Sequence, residues 1–437
     1  MASDSSIKRI SDGKKAKRAE IKEQYKRSAG KKTLFTIFSL LLLFGIAIIS
    51  PSIGSADISL SDTYVSILHK FSPDRFNPAP KEIRYLFSVD NRSGLEEDLN
   101  RGILPEELKQ GLEEKRRLST SATVTKAEEK RWVIRDERSG DVREYIIRKT
   151  EDGKLNIYDA LESYKIVIMV WKRVNKVIMG LLAGLGLAIA GTTMQGVLRN
   201  PLASPFTLGI ASTAAFGGML GSGFGGKLGI SPYVELSLTV ITAFVFAFLP
   251  FLLFQQLSKY RGVTSEMMIL GGVALMFTFF PMTYLAGLSG IKPAPWVVLY
   301  LVSIIIAICI LLLMLKSWDL NTLSAGDDTA KSLGINVERT RVICLALASL
   351  AVAAVVSFAG IFAFIGLIAP FICRGIIGSD NRFLIPASGL IGASLLLGLD
   401  GFVGISLGGA IPVGIFTMFL GGPLLFYLAI RRKKESF

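Results

Sequence analysis

The chain has 437 residues, 51% of them hydrophobic, with a mean hydropathy of +0.49 and a formal net charge of +14. That hydropathy describes a membrane-embedded protein rather than a soluble domain with one large core, so the 19% of charged residues must be concentrated in a few places. The basic residues cluster beside apolar spans, the positive-inside pattern, which argues against nucleic-acid binding. Cys309, Cys344 and Cys373 lie in or beside apolar segments without CxxC spacing, so neither a disulfide framework nor a zinc site is indicated. His69 is the only histidine, which removes histidine-based triads and multi-histidine metal sites.

From the N-terminus, residues 1–32 hold eleven Lys and Arg against four Asp and Glu and no apolar run. They read as a basic cytoplasmic tail able to touch the anionic headgroups of membrane lipid. Residues 33–55 form the first transmembrane segment, long enough to cross the hydrocarbon core and without the cleavage pattern of a signal peptide. Residues 56–170 change character: charges of both signs are dense and apolar residues come in short clusters. Pro105, Glu106 and Glu107 start a helix with Leu108 and Leu112 on one face, and residues 131–136, 143–149 and 154–158 read as short strands split by Ser139-Gly140 and Asp152-Gly153 turns. A small extracytoplasmic α+β insertion is expected.

Residues 191–218, GTTMQGVLRNPLASPFTLGIASTAAFGG, join two apolar segments through a polar turn. Pro201 and Pro205 lack a backbone donor and bias their predecessors away from the helix, so a helix arriving from Gly180 stops near Asn200 and restarts after Pro205. Gly180, Gly184, Gly191, Gly209, Gly217 and Gly218 allow close helix approach where lipid offers no hydrophobic drive. Apolar spans are expected at about 174–195, 204–221, 234–256, 264–288, 296–315, 342–362, 364–377, 387–404 and 411–430. With the first segment they make ten, and an even number returns the basic tail 431–437 to the cytoplasm. Arg199, Lys259, Arg261, Arg339, Arg341, Arg374 and Arg382 all fall in the loops this count puts inside. The fold class is therefore an all-α polytopic membrane protein of about ten transmembrane helices, with its bundle over 171–430.

Residues 221–228, GSGFGGKL, fall one residue short of the P-loop pattern, lacking the hydroxyl that ligates Mg²⁺, and no strand precedes them. ATP binding is not expected there. In the charged loop 316–341, Asp327 and Asp328 stand before Thr329, Ala330 and Leu333 as acids at the positive end of a short helix, and Gly334 supplies the left-handed residue that ends it. Asp400 is an acid near the end of a span, which makes it either a functional ionisable group or a solvated residue of the outer interface.

Gly191, Gln195, Asn200, Pro201, Leu202, Ala203, Pro205, Leu208 and Gly209 fall in register with the pattern G-x-x-x-Q-x-x-x-x-N-P-L-A-x-P-x-x-L-G. On these residues the chain resembles the FecCD-type permease subunits of ABC importers for ferric siderophores, haem and cobalamin. Gly366, Pro370, Arg374, Gly378, Asp380, Arg382, Pro386, Gly392, Asp400, Pro412, Gly414 and Pro423 extend the resemblance to the C-terminal third. It implies a homodimer around a central path, two cytoplasmic ABC ATPase subunits that use ATP and Mg, and an extracytoplasmic substrate-binding protein, with no catalytic residue, resident metal or directly bound cofactor in this chain. It implies a cytoplasmic gate at Asn200 and Leu202, with Gln195 beside it, and a second constriction at Thr264 and Ser265. It assigns contact with the ATPase to Asp328, Thr329, Ala330, Leu333 and Gly334, and docking or structural roles to Arg374 and Asp400. Phe371 replaces the usual His, Asn175 and Lys176 stand where the family tends to have Pro-Arg, and Gly404 stands in place of an Arg. The insertion at 56–170 is not covered by the resemblance and serves either as a solvated spacer or as a docking surface for the binding protein.

An ion-driven secondary transporter would place ionisable residues in broken helices at the midplane, yet the centres of these spans are nearly free of charge. A membrane-embedded enzyme would need convergent nucleophile, base or metal ligands, and none are in view. An ABC permease for free metal ions is a closer rival, although it calls for His and acidic residues facing the path.

Overall fold

The computed structural model describes residues 29–53, 60–69, 85–90, 95–114, 122–128, 131–138, 141–150, 154–159, 161–228, 231–261, 265–285, 291, 294–407 and 411–435. Most of the basic tail 1–32, the Ser139-Gly140 and Asp152-Gly153 turns and Thr264 lie outside the described residues. The chain divides into two compact units, one of Asp57–Arg173, the other of Met1–Ala56 together with Val174–Phe437.

The first unit is built on a five-stranded antiparallel sheet of order β1-β5-β4-β3-β2. Its strands are β1 (Tyr85–Asp90), β2 (Ala122–Glu128), β3 (Arg131–Arg138), β4 (Asp141–Lys149) and β5 (Lys154–Asp159). Alternation places Trp132 and Ile134 of β3, Tyr145 and Ile147 of β4, and Leu155 and Ile157 of β5 on one face, all fully buried. They share a core with Leu95 and Leu99 of one short helix (Leu95–Asn100) and Leu108 and Leu112 of another (Glu106–Glu114), the helix expected after Pro105. Trp132 Nε1 donates to Asn100 Oδ1 at 3.2 Å, and Lys149 pairs with Glu96 at 2.6 Å. A further helix, Leu60–His69, belongs to the same unit. β1 and β2 are additions to the expected strands; β2 pairs with its neighbour β3, whereas the partner of β1, β5, lies far along the chain and no local turn announces the pairing.

The second unit is helical. Numbering helices in chain order, with the three of the lobe as α2 to α4, the bundle contains α1 (Ala29–Ser52), α5 (Leu161–Leu198), α6 (Ile210–Leu228), α7 (Pro232–Arg261), α8 (Ser265–Leu285) and α9 (Trp296–Leu315). It continues with α10 (Ser317–Ser324), α11 (Asp327–Ser332), α12 (Val337–Ala359), α13 (Ile365–Ile377), α14 (Asn381–Ser406) and α15 (Val413–Glu435). Among the described residues six helices are long and apolar enough to cross a membrane, namely α1, α5, α7, α9, α12 and α14, and α8, α13 and α15 contain shorter apolar stretches.

Several boundaries differ from the sequence reading; α5 begins at Leu161 rather than near 174, and α12 at Val337 rather than near 342. α6 begins at Ile210 rather than near 204, because residues 205–209 form hydrogen-bonded turns instead of a helix. α14 begins at Asn381 rather than near 387: Asp380 caps it by accepting from Arg382 N at 3.2 Å, so Pro386 sits inside an established helix. Residues 221–228, the P-loop-like run, are the end of α6, so the strand-loop-helix that cradles phosphate does not form there.

The bundle closes on backbone contacts. A Cβ on Gly191 of α5 would overlap the Gly366 carbonyl of α13, and one on Gly184 would lie 2.5 Å from Ala393 Cα of α14. Gly191→Ala is therefore expected to cost about 1–3 kcal/mol through overpacking and to lower the melting midpoint in detergent. Gly375→Ala, which faces open space on α13, should leave the midpoint unchanged or raise it slightly. Equal melting of Gly191→Ala and the unmodified chain would contradict the α5–α13 contact.

Candidate functional site

Two interruptions of the helical bundle meet inside it. The first is the turn between α5 and α6. Arg199 closes α5 in the left-handed region, at φ 52, and Asn200 N donates back to Gln195 O at 3.2 Å, the cap geometry in which glycine is usual. For an arginine that backbone costs about 1–2 kcal/mol. The prolines supply no donors, and side chains hold the turn instead. Gln195 Nε2 donates to Pro201 O at 3.0 Å, and Asn200 Oδ1 accepts from Leu202 N at 3.0 Å. Ser204 and Thr207 cap each other, Ser204 N donating to Thr207 Oγ1 at 2.9 Å and Thr207 N to Ser204 Oγ at 3.1 Å. Gln195 and Asn200 are buried, yet Gln195 Oε1 and Asn200 Nδ2 have no hydrogen-bond partner among the described residues.

The second interruption is residues 360–364, between α12 and α13, all five buried. Phe364 is, among the described residues, the other non-glycine residue with positive φ, at 65°. Its ring lies 5.2 Å from that of Phe206, which also meets Phe280 of α8 edge-on at 6.3 Å. Gly366 has no room for a side chain between Leu187 O and Pro205.

A pair of short helices stands beside the first turn. α10 is fixed to the start of α14: Asn321 Nδ2 donates to Asp380 Oδ1 at 2.9 Å, Asn381 N donates to Asn321 Oδ1 at 2.7 Å, and the Arg382 guanidinium stacks on Trp318 at 4.2 Å. α11 ends as the sequence implies, with Gly334 at φ 79 and Ile335 N donating to Ala330 O at 3.0 Å. Ala330 is buried with Leu323 and Val337, whereas Asp328, Thr329, Leu333 and Gly334 are exposed. The helix therefore presents a knob held by one apolar residue. Asp327 accepts from Arg199 Nη2 at 3.0 Å and from Arg341 Nη2 at 3.2 Å, so the knob is joined to the first turn by an ion pair.

The remaining residues singled out from sequence are dispersed. Ser265 opens α8, with its side chain outside the described residues. Arg374 lies on α13 with its Nε buried and without a partner among the described residues. Asp400 pairs with Lys176 at 2.7 Å across α14 and α5, and the neighbouring Asn175 donates to Ala294 O at 3.3 Å. Sequence reasoning missed α10 and the Arg199–Asp327 pair. The available signal was charge, since the span count already put Arg199 and Arg341 on the same side. Among the described residues no three His, Cys, Asp or Glu side chains group closely enough to hold a metal ion.

The bundle has two breaks buried together and a surface knob tied to one of them, an arrangement compatible with a transport protein. The model of the FecCD transport family matches residues 144–431, and the chain belongs to that family as the permease subunit of an ABC transporter. It is 39% identical over 304 residues to an ABC transporter permease protein of Methanocaldococcus jannaschii, covering 64% of this chain and 87% of that one. It is 31% identical over 279 residues to the hemin transport system permease protein of Yersinia pestis, covering 60% and 83%. It is 32% identical over 288 residues to the cobalamin import system permease protein of Halobacterium salinarum, covering 62% and 75%. A solved inward-facing structure of a metal-chelate type ABC transporter matches with a TM-score of 0.50 and 30% identity, over 59% of this chain and 86% of that one.

Asp380 is the electrostatic centre of the α10 anchor. Burial pushes its carboxyl upward, but hydrogen bonds from Arg382 and Asn321 and the Arg382 charge outweigh it and bring the pKa down to about 2. A depressed carboxylate stabilises the fold above its unfolded pKa, near 3.9, and loses that contribution as pH falls towards 2. Asp380→Asn should therefore lower stability at pH 7 by on the order of 1–2 kcal/mol, and the gap to the unmodified chain should close between about pH 4 and pH 2. Melting curves across that range check it; a gap constant down to pH 2 would contradict the assignment.

Proposed function

We propose that this chain moves an iron chelate, ferric siderophore or haem, or cobalamin into the cytoplasm as half of a homodimeric importer. Two cytoplasmic ATPase subunits supply ATP and Mg chemistry, and an extracytoplasmic binding protein delivers cargo. Both termini are cytoplasmic, and ten helices cross the membrane: α1, α5 to α9 and α12 to α15. The observation that carries the reading is the joining of the family's gate turn to the adjacent knob by Arg199 and Asp327. The named relatives among hemin and cobalamin permeases support the cargo class.

In this reading Asn200 and Leu202, braced by Gln195, close the path on the cytoplasmic side, and Thr264 and Ser265 form a second constriction. Asp328, Thr329, Leu333 and Gly334 enter a groove on the ATPase while Ala330 anchors them, and Arg374 and Asp400 are structural. The permease then has only to favour different gate states when the ATPases are open or closed.

Liposomes holding this chain with its ATPase and binding protein should take up one of labelled cobalamin, haem or a ferric siderophore only with ATP. Gly334→Val, which forces a β-branched residue into the left-handed region, should abolish that uptake. Asn200→Ala with Leu202→Ala should leak cargo without ATP. Uptake following an imposed ion gradient without the ATPase would overturn the importer reading, and a tight double variant would overturn the gate.

A further inference from the structure

Resting on the importer reading above, we propose that Arg199 is the positioning residue through which the knob sets the gate turn, with Asp327 as its grip and Gly326 as the pivot. α10 and α11 are held by separate polar networks. α10 is fixed to the start of α14 through Asn321, Asp380 and Asn381, and through the Trp318–Arg382 stack. α11 carries Asp327 at its first position, and that carboxylate reaches Arg199 of the gate turn at 3.0 Å and Arg341 of α12 at 3.2 Å.

Between the two helices stands Gly326, at φ 124 and ψ 151, a region open to glycine and closed to other residues. In this proposal α11 shifts by sliding Ala330 over Leu323 and Val337, with the change of angle taken up at Gly326, while α10 stays anchored. A displacement of the exposed α11 surface carries Asp327 with it. Asp327 then acts on a guanidinium whose own backbone is the left-handed residue between Leu198 and Asn200. Arg199 adjoins the gate residue Asn200 in sequence, so its reorientation moves the backbone that positions Asn200 and Leu202. Arg341 of α12 shares the same carboxylate oxygen, Oδ1, at 3.2 Å and also reaches Oδ2 at 3.3 Å, so Asp327 keeps a partner when its bond to Arg199 is released. Glycine suits the Arg199 backbone better than arginine does, so the arginine contributes through its side chain.

The test is the amount of cargo moved per ATP hydrolysed in the reconstituted complex, with whichever of labelled cobalamin, haem and ferric siderophore the unmodified chain takes up. Arg199→Gly, which relaxes the backbone and keeps the fold, should lower that ratio about tenfold while hydrolysis continues. Asp327→Asn should do the same, and the double variant should be no worse than either single one. Arg199→Lys should recover the ratio to within about threefold, a rescue that a purely structural loss would not show. Arg339→Ala, an exposed cation of the same segment, serves as the control. An unaltered ratio in Arg199→Gly would overturn this inference alone, since the unmodified chain would still show ATP-dependent uptake. Failure of the unmodified chain to take up any of the three with ATP would overturn the importer reading and this inference with it.

Discussion

A backbone that leaves the helix inside an apolar bundle must find its hydrogen bonds within the protein, because hydrocarbon offers none. That constraint explains why the two interruptions, residues 199–209 and 360–364, are packed against each other rather than spread through the bundle. The first satisfies its polar groups with its own side chains, Gln195, Asn200, Ser204 and Thr207. The second is buried against it through Phe364 and Phe206. Such closeness needs bare backbone at the crossing points, which Gly191 and Gly366 supply between α5 and α13. The break that makes a movable turn possible is thus sealed by the same packing that limits where it can move.

Much of this was legible from residues whose physical meaning is local. Pro201 and Pro205 end a helix wherever they occur, and Trp296–Leu315 is apolar without interruption, so the turn and α9 fall where the sequence puts them. Gly334 after a short acidic-led segment marks its own left-handed cap. What was not legible depends on contacts distant in sequence. β1 pairs with β5 across a long separation, α10 is polar enough to read as loop until Asn321 meets Asp380, and Arg199 and Asp327 stand 128 residues apart. The start of α14 was misplaced because Pro386 carries a stronger local signal than the cap that Asp380 forms with Arg382 N.

The departures from the family pattern become intelligible through pairing. Lys176 stands where an arginine is usual, and it still meets Asp400 with a cation. Asn175, in place of proline, brings a donor that reaches Ala294 O ahead of α9. Both residues tie this part of α5 to its neighbours. Nothing in the structure explains Phe371.

The same pair locates Asp400 at the contact between α14 and α5. α5 and α14 run antiparallel and touch at Gly184 and Ala393. Lys176, in the first half of α5, meets Asp400 near the end of α14, while Arg199 and Asp380 lie towards their opposite ends. Between Lys176 and Arg199, and between Arg382 and Asp400, neither helix carries a single Asp, Glu, Lys or Arg. At about 1.5 Å per residue those charge-free stretches measure roughly 27–35 Å, close to the hydrocarbon thickness of about 30 Å. The ion pairs therefore bracket the apolar slab. Asp400 and its lysine partner thus stand at one end of the charge-free stretches, with Arg199 and Asp380 towards the other.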